Sequence, residues 1–321
     1  MPCFRLICCA TLLLLGLDRT IQAEQDYTII NPDFARRVNN FADLELTTGS
    51  TETRYRLYVP KSLRPTDGSF PKPESLSKEK RFPLMVWLHG VGEAGTENWR
   101  QLTYIMDEVE TWENEKGPLG CFILALQCPR DQAAWDDLML DIVAQVTEKT
   151  AQTWPIDRSR IYLAGVSAGG TACWKLAARH PDVFAAISPM ASAGSDEIAP
   201  EALANIPVWA FHVTGDRGTK VEQVRRTVVE VGEYSDVCWL TEIPGQNHNC
   251  WTAAFRDYNL LGWLLQQQQG EPAVPVASSV QWQSFWARHA INVSSLWPWL
   301  VWAAVIGAVV VAIRRQVQQA V

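Results

Sequence analysis

The run Arg160-Ile161-Tyr162-Leu163-Ala164-Gly165-Val166-Ser167-Ala168-Gly169-Gly170-Thr171-Ala172-Cys173-Trp174-Lys175-Leu176-Ala177-Ala178-Arg179-His180 changes character at its centre. Its first third is a short apolar segment, as expected of a buried strand, and Thr171 to His180 reads as a helix. Between them stands the G-x-S-x-G of Gly165-Val166-Ser167-Ala168-Gly169. Strand, sharp turn and helix are the setting in which a nucleophilic serine is lifted clear of the carboxyl edge of a sheet. The turn strains the backbone at the serine, and small residues must flank it. Gly165, Ala168, Gly169 and Gly170 meet that demand. The helix that follows aims free N–H groups and a positive dipole end at the same point. A Gly/Ser turn between two core elements is the alternative, and the flanking elements favour the nucleophile over it.

Outward from this turn, the chain repeats one pattern. Leu84 to Leu88, Cys121 to Leu126, Ile161 to Ala164, Ala185 to Ile187, Val208 to Phe211 and Val237 to Ile243 are apolar on both faces, as strands of a covered parallel sheet are. Helix-period segments separate them. Asp136 to Thr150 places Leu138, Ile142, Val143 and Val146 on one stripe, and Lys220 to Tyr234 and Trp251 to Gln267 read similarly. Upstream, Phe41 to Leu46 and Thr53 to Val59 alternate apolar with polar, the signature of half-exposed antiparallel strands. Two antiparallel strands leading into a mostly parallel sheet with helices on both faces, and an elbow at its middle, give an α/β class and the α/β-hydrolase arrangement. Lys61 to Arg81, Trp99 to Lys116 and Ser192 to Asn205 are expected to be loops at the rim of its pocket.

The two ends differ from this middle. Arg5 followed by the leucine-rich stretch Leu6 to Leu17 and by Ile21-Gln22-Ala23 reads as a secretory signal over residues 1–23. The hydrolase domain is expected over 24–268 and a linker, opened by a glutamine run and prolines, over 269–295. Residues 296–313 carry no charge and match the ~30 Å hydrocarbon core in length, so a transmembrane helix is expected there. Trp297, Trp299 and Trp302 suit an aromatic belt, and Arg314-Arg315 begin a cytoplasmic tail over 314–321. The implied topology is an exported domain anchored in the cytoplasmic membrane. A net charge of −7 with no basic stripe argues against nucleic-acid binding. Five cysteines lie outside the signal (Cys121, Cys128, Cys173, Cys238 and Cys250), in no zinc spacing. A Cys238–Cys250 bridge and buried thiols are both compatible with them.

A serine needs a base. Of five histidines, His289 lies in the linker, His180 ends the elbow helix, His89 sits in a glycine-rich loop and His212 ends a strand. His248 follows the last strand and is the expected base, in the chain order serine, acid, histidine. Asp216, in the loop after Val208 to His212, is the expected acid, with Asp236 and Asp196 as weaker candidates. The oxyanion donors are expected from the backbone N–H of Ala168 and of Val91, with His89, Gly90 and Gly92 shaping the loop around the latter. Gly90 to Gly95 also matches G-x-G-x-x-G, but Leu126-Gln127-Cys128-Pro129 has no carboxylate for a ribose, and no cofactor or metal is expected.

Several stretches resemble secreted α/β-hydrolase carboxylesterases of the polyhydroxybutyrate-depolymerase-like and predicted-peptidase type. They are Leu88-His89-Gly90-Val91-Gly92-Glu93-Ala94-Gly95-Thr96-Glu97-Asn98, Gln127-Cys128-Pro129 with Trp135, Ile156 to Gly170, Pro207 to His212 with Asp216, and His248 with Trp251. The likeness covers Thr53 to Gln267. It implies Ser167 as nucleophile, Asp216 as acid and His248 as base, acting on a small-molecule or polymer ester. The chain departs from the family at Ala94, where arginine is usual, at Glu97, where aspartate is usual, and after His212. There Val213 replaces glycine, and Arg217-Gly218-Thr219-Lys220 replaces a segment with a Val-Pro pair. A peptidase-like hydrolase and a non-catalytic binding protein on the same fold are the rival readings, with an intracellular protein that buries its apolar ends as a third.

Overall fold

The computed structural model describes residues 32–48, 51–129, 135–194, 198–278 and 280–281. Its strands are β1 (Phe41–Thr48), β2 (Thr51–Tyr58), β3 (Phe82–Leu88), β4 (Phe122–Leu126), β5 (Ile156–Val166), β6 (Ala186–Met190), β7 (Val208–Val213) and β8 (Cys238–Ile243). One sheet joins them in the order β1-β2-β4-β3-β5-β6-β7-β8. β3 to β8 are parallel, and β2 runs antiparallel to β4 and forms a hairpin with β1. β5 is thus central, with Gly165 beside Leu88 of β3 and Val166 beside Met190 of β6. The segments leaving β3, β5, β7 and β8 all emerge at one carboxyl edge, where ligands of such sheets bind.

Alternation along β3 decides what each face carries. Leu84, Val86 and Leu88 join one core with α3 (Asp137–Thr153), α4 (Ala168–Arg179) and α5 (Val221–Gly232). Met85 and Trp87 join the other, with α1 (Pro32–Val38), α2 (Ile105–Lys116), α6 (Trp251–Arg256) and α7 (Leu260–Leu264). All seven residues of β3 are buried, which is why the strand reads as a continuous apolar run. Full burial contributes roughly 1.5–3 kcal/mol for a side chain the size of Leu88 and more for the indoles of Trp87 and Trp174.

Four expectations are corrected. On α3 the buried face is Met139, Leu140, Val143, Val146, Thr147 and Thr150, and Leu138 is exposed. The phase is set by the N-cap, since the Asp136 carboxylate accepts the Met139 N–H at 2.9 Å and fixes where the first turn starts. Most of Trp99 to Lys116 is α2 rather than a rim loop; its Glu108 is buried and paired with Arg256 at 3.3 Å. Trp251 to Gln267 is not one helix, because Asn259 adopts a left-handed φ of 53° and divides α6 from α7. Cys238 and Cys250 do not pair. They lie in the cores on opposite faces of the sheet, and all five of these cysteines are buried. Burial pushes the Cys250 thiol up to about 12.

Past the expected domain end, Gln269 N–H bonds the Ser159 carbonyl at 2.9 Å, and Val276 and Val280 are buried in the second core. The stretch read as the start of a linker therefore packs on the domain. Among the described residues no helix is long and apolar enough to cross a membrane. The expected signal, transmembrane helix and tail lie outside the described residues, as does most of the expected linker.

Candidate active site

Ser167 joins β5 to α4 with φ 55° and ψ −119°. A positive φ on a residue with a Cβ costs on the order of 1–3 kcal/mol, so the surroundings must hold it. The Ser167 N–H donates to the Met190 carbonyl at 2.8 Å, and the Ser167 carbonyl accepts the Thr171 N–H at 3.0 Å. Close approach explains the flanking glycines. A Cβ on Gly169 would stand 2.1 Å from the Leu88 carbonyl oxygen, and one on Gly165 would stand 2.5 Å from that of Gly169. The first turn of α4 is thereby pressed onto the end of β3, which brings the loop after β3 to the nucleophile. A Cβ on Gly90 would lie 3.5 Å from Ser167 Cβ.

That loop forms a single 3-10 turn, Val91–Glu93. Val91 and Ala168 are each the first residue of a helical turn, whose leading N–H groups have no partner within the turn. Val91 is 67% exposed, so the turn stands open to solvent.

His89 fastens the loop. It is 1% exposed, its Nδ1–H donates to the Gly90 carbonyl at 2.6 Å, and its Nε2 accepts the Cys128 N–H at 2.9 Å. Those two partners admit one neutral tautomer. Burial drives the imidazole down to about 4, against the pull of the Gly90 carbonyl. The Trp135 indole packs on the ring at 4.9 Å and donates to the His89 carbonyl at 3.0 Å.

Behind the loop lies a polar node that the sequence did not single out for any role. Asn98, buried and at φ 56°, donates its N–H to Gln127 Oε1 at 2.6 Å and its Nδ2 to Asp43 at 2.8 Å. Its Oδ1 accepts from Gln101 at 2.6 Å, and its carbonyl accepts from the buried Arg56 at 2.6 Å. Gln127 in turn donates to the Glu93 carbonyl at 2.9 Å, tying the node to the end of the Val91–Glu93 turn. Asn is favoured at a left-handed position beside Gly itself, the one local signal that could have found it.

Beyond β7 and β8 the structure brings Asp216 and His248 together. His248 Nδ1 lies 2.6 Å from Asp216 Oδ2, which leaves Nε2 for another partner. Asp216 Oδ1 accepts the Gly218 N–H at 2.7 Å. Burial pushes the Asp216 carboxyl up, but the His248 bond, the Gly218 N–H and the nearby imidazoles outweigh it and leave it below the usual range. The unusual Arg217-Gly218-Thr219-Lys220 segment fits the pair closely. A Cβ on Gly218 would touch His248 Nδ1 at 3.4 Å. Trp251 meets the His248 ring edge-on at 6.0 Å and packs at a tilt against Tyr104 at 4.9 Å. Asp236 lines a groove of about 680 Å³ with the starts of β6 to β8, at the opposite edge of the sheet, and Asp196 lies outside the described residues. Among the described residues no cluster of His, Cys, Asp and Glu could hold a metal ion.

No family model matches the chain. No curated protein matches it either. Solved structures do. A thermostable esterase aligns at 27% identity and TM-score 0.61, over 72% of this chain and 64% of that one. The chain thus spans about two-thirds of that esterase's length. A ferulic acid esterase aligns at 16% identity and TM-score 0.52, over 70% and 97% of the two chains. An S-formylglutathione hydrolase from Agrobacterium tumefaciens aligns at 16% and 0.51, over 71% and 94%. With the sheet order described above, these likenesses establish the α/β-hydrolase fold.

Proposed function

We propose that this α/β-hydrolase-fold chain is a serine hydrolase that cleaves carboxylic esters through an acyl-enzyme. The observation that carries the reading is the strained Ser167 at the edge where His248 is bonded to the Asp216 carboxylate at 2.6 Å. Local strain of that kind persists where function needs the side chain presented.

In the proposed cycle Ser167 Oγ attacks the ester carbonyl while His248 Nε2 takes its proton. Asp216 accepts the Nδ1–H, fixes the tautomer and steadies the imidazolium. The N–H groups of Val91 and Ala168 bind the carbonyl oxygen as it becomes an oxyanion, a contribution of about 2.7–4 kcal/mol per donor in other hydrolases. His248 then protonates the departing alcohol, and water attacks the acyl group by the same route in reverse. The chemistry asks for no cofactor, since proton and charge are both handled by the protein. Esters are preferred over peptides on the family resemblance and on the likeness to an esterase at 27% identity. A site outside the cytoplasmic membrane, anchored by residues 296–313, belongs to the same proposal and rests on the terminal sequences.

The test is hydrolysis of p-nitrophenyl esters from acetyl to octanoyl by the full chain, beside Ser167→Ala. Hydrolysis that disappears in the variant supports the reading and ranks acyl lengths. A folded wild-type protein inert toward the whole series would overturn it in favour of a binding role.

A further inference from the structure

We propose that His212 is a positioning residue for the catalytic acid, holding the loop that carries Asp216 through the Thr219 carbonyl; the inference rests on the triad assignment above. His212 ends β7 with a side chain 0% exposed. Its Nε2 lies 2.8 Å from the Thr219 carbonyl oxygen. A carbonyl can only accept, so Nε2 carries the proton. Nδ1 is then a bare acceptor, and it has no hydrogen-bond partner among the described residues. Placing the proton on Nδ1 instead would set two lone pairs against each other at Thr219 and leave the N–H unmet. One neutral tautomer is therefore fixed by contacts alone, and burial, the leading influence, works in the same direction.

The location of that donor gives it a purpose. Nε2 also stands 3.7 Å from Asp216 Oδ2, the oxygen that bonds His248. The carboxylate thus lies between two imidazoles: His248 takes it directly, and His212 takes the peptide three residues on. The loop between closes on the carboxylate, with Gly218 N–H at 2.7 Å and Thr219 N–H at 3.5 Å from Oδ1. Remove the His212 donor and the Thr219 carbonyl is left without it; the Asp216 N–H still bonds the Val213 carbonyl at 3.1 Å, but the far side of the loop has lost its bond to β7. The other charged group near His212 is Glu242, its partner across β8, which is engaged by Arg225 at 2.6 Å. An apolar residue at 212 would fill the space and supply no donor.

Two near-isosteric variants separate this role from simple packing. In the full chain, His212→Gln sets an amide nitrogen where Nε2 was, and His212→Asn sets one where Nδ1 was. Steady-state hydrolysis of a p-nitrophenyl ester is measured for both, with thermal unfolding to verify the fold. The low-field proton resonance of the 2.6 Å His248–Asp216 bond is recorded as a readout that needs no turnover. The expected result is near-wild-type kcat and a retained resonance for His212→Gln. His212→Asn should show kcat down by about tenfold at unchanged KM, with the resonance shifted or lost. Equal behaviour of the two variants in the resonance overturns the proposal. If the wild type hydrolyses no ester, the triad reading fails separately, and the resonance still decides whether His212 holds Asp216 against His248.

Discussion

Acidification should destabilise the fold by a calculable amount, because His89 fastens the loop after β3 as a neutral imidazole. Its Nε2 accepts the Cys128 N–H, and a proton there would turn an acceptor into a second donor facing that N–H. The folded-state value of about 4 lies below the ordinary histidine value of about 6.5. The unfolded chain therefore binds the proton first. His89's contribution to stability is whole above pH ~6.5, declines as pH falls, and is gone below about 4. Linkage across that window gives a loss of about 2.5 kcal/mol by pH 4.5, at a slope approaching 1.4 kcal/mol per pH unit. Asp216, with a depressed carboxyl, loses stability in the same direction but at lower pH, as pH falls through its own folded value. The assay is urea unfolding at half-unit steps from pH 7 to pH 4.5, for wild type and His89→Gln. The variant starts lower and should show a flatter pH dependence. Parallel curves for the two proteins would refute the argument that His89 is held neutral.

Four other outcomes follow from the geometry. Asp216→Asn should fold normally and lower kcat by about 10⁴ with little change in KM, read by ester hydrolysis, because the carboxylate that holds the His248 tautomer is gone. Gly169→Ala drives a Cβ into the Leu88 carbonyl at the junction of β3 and α4, and should lower stability by about 3 kcal/mol, seen as a lowered unfolding midpoint. Asn98→Ala keeps the backbone N–H that bonds Gln127 but strips buried side-chain partners from Gln101 and Asp43; it should cost about 2–4 kcal/mol, read by chemical denaturation. Gly218→Val presses on the His248 ring and should depress kcat more than stability, measured by kinetics and thermal unfolding side by side.

The elbow was legible because its constraints are local. A residue forced to φ 55° between a strand and a helix demands small neighbours within a few positions, and these are written in consecutive letters. The strands after it were legible because burial on both faces makes each a continuous apolar run, though their order in the sheet was not. What the letters hid was set across long separations. The packing of Gly218 on His248 joins residues 30 apart in the chain, whereas the carboxylate–imidazole pair, 32 apart, was expected from chain order alone. The Asn98 node unites four strands and loops through polar atoms that carry no periodicity. Leu138 was misassigned because the helix phase, fixed by the Asp136 cap, turns it outward while Val143 and Val146 of the same expected stripe face the core. Cysteine spacing could not reveal that Cys238 and Cys250 occupy opposite faces of the sheet.

The most direct test of the account is covalent labelling of Ser167 by a fluorophosphonate, read by intact mass and by mapping the modified peptide. The account predicts stoichiometric addition of one phosphonyl group on Ser167, rapid in the wild type and absent in Ser167→Ala. Labelling should be slowed strongly in Asp216→Asn, where the base has lost its carboxylate. A folded wild-type protein that stays unlabelled, or is labelled at another residue, would contradict it.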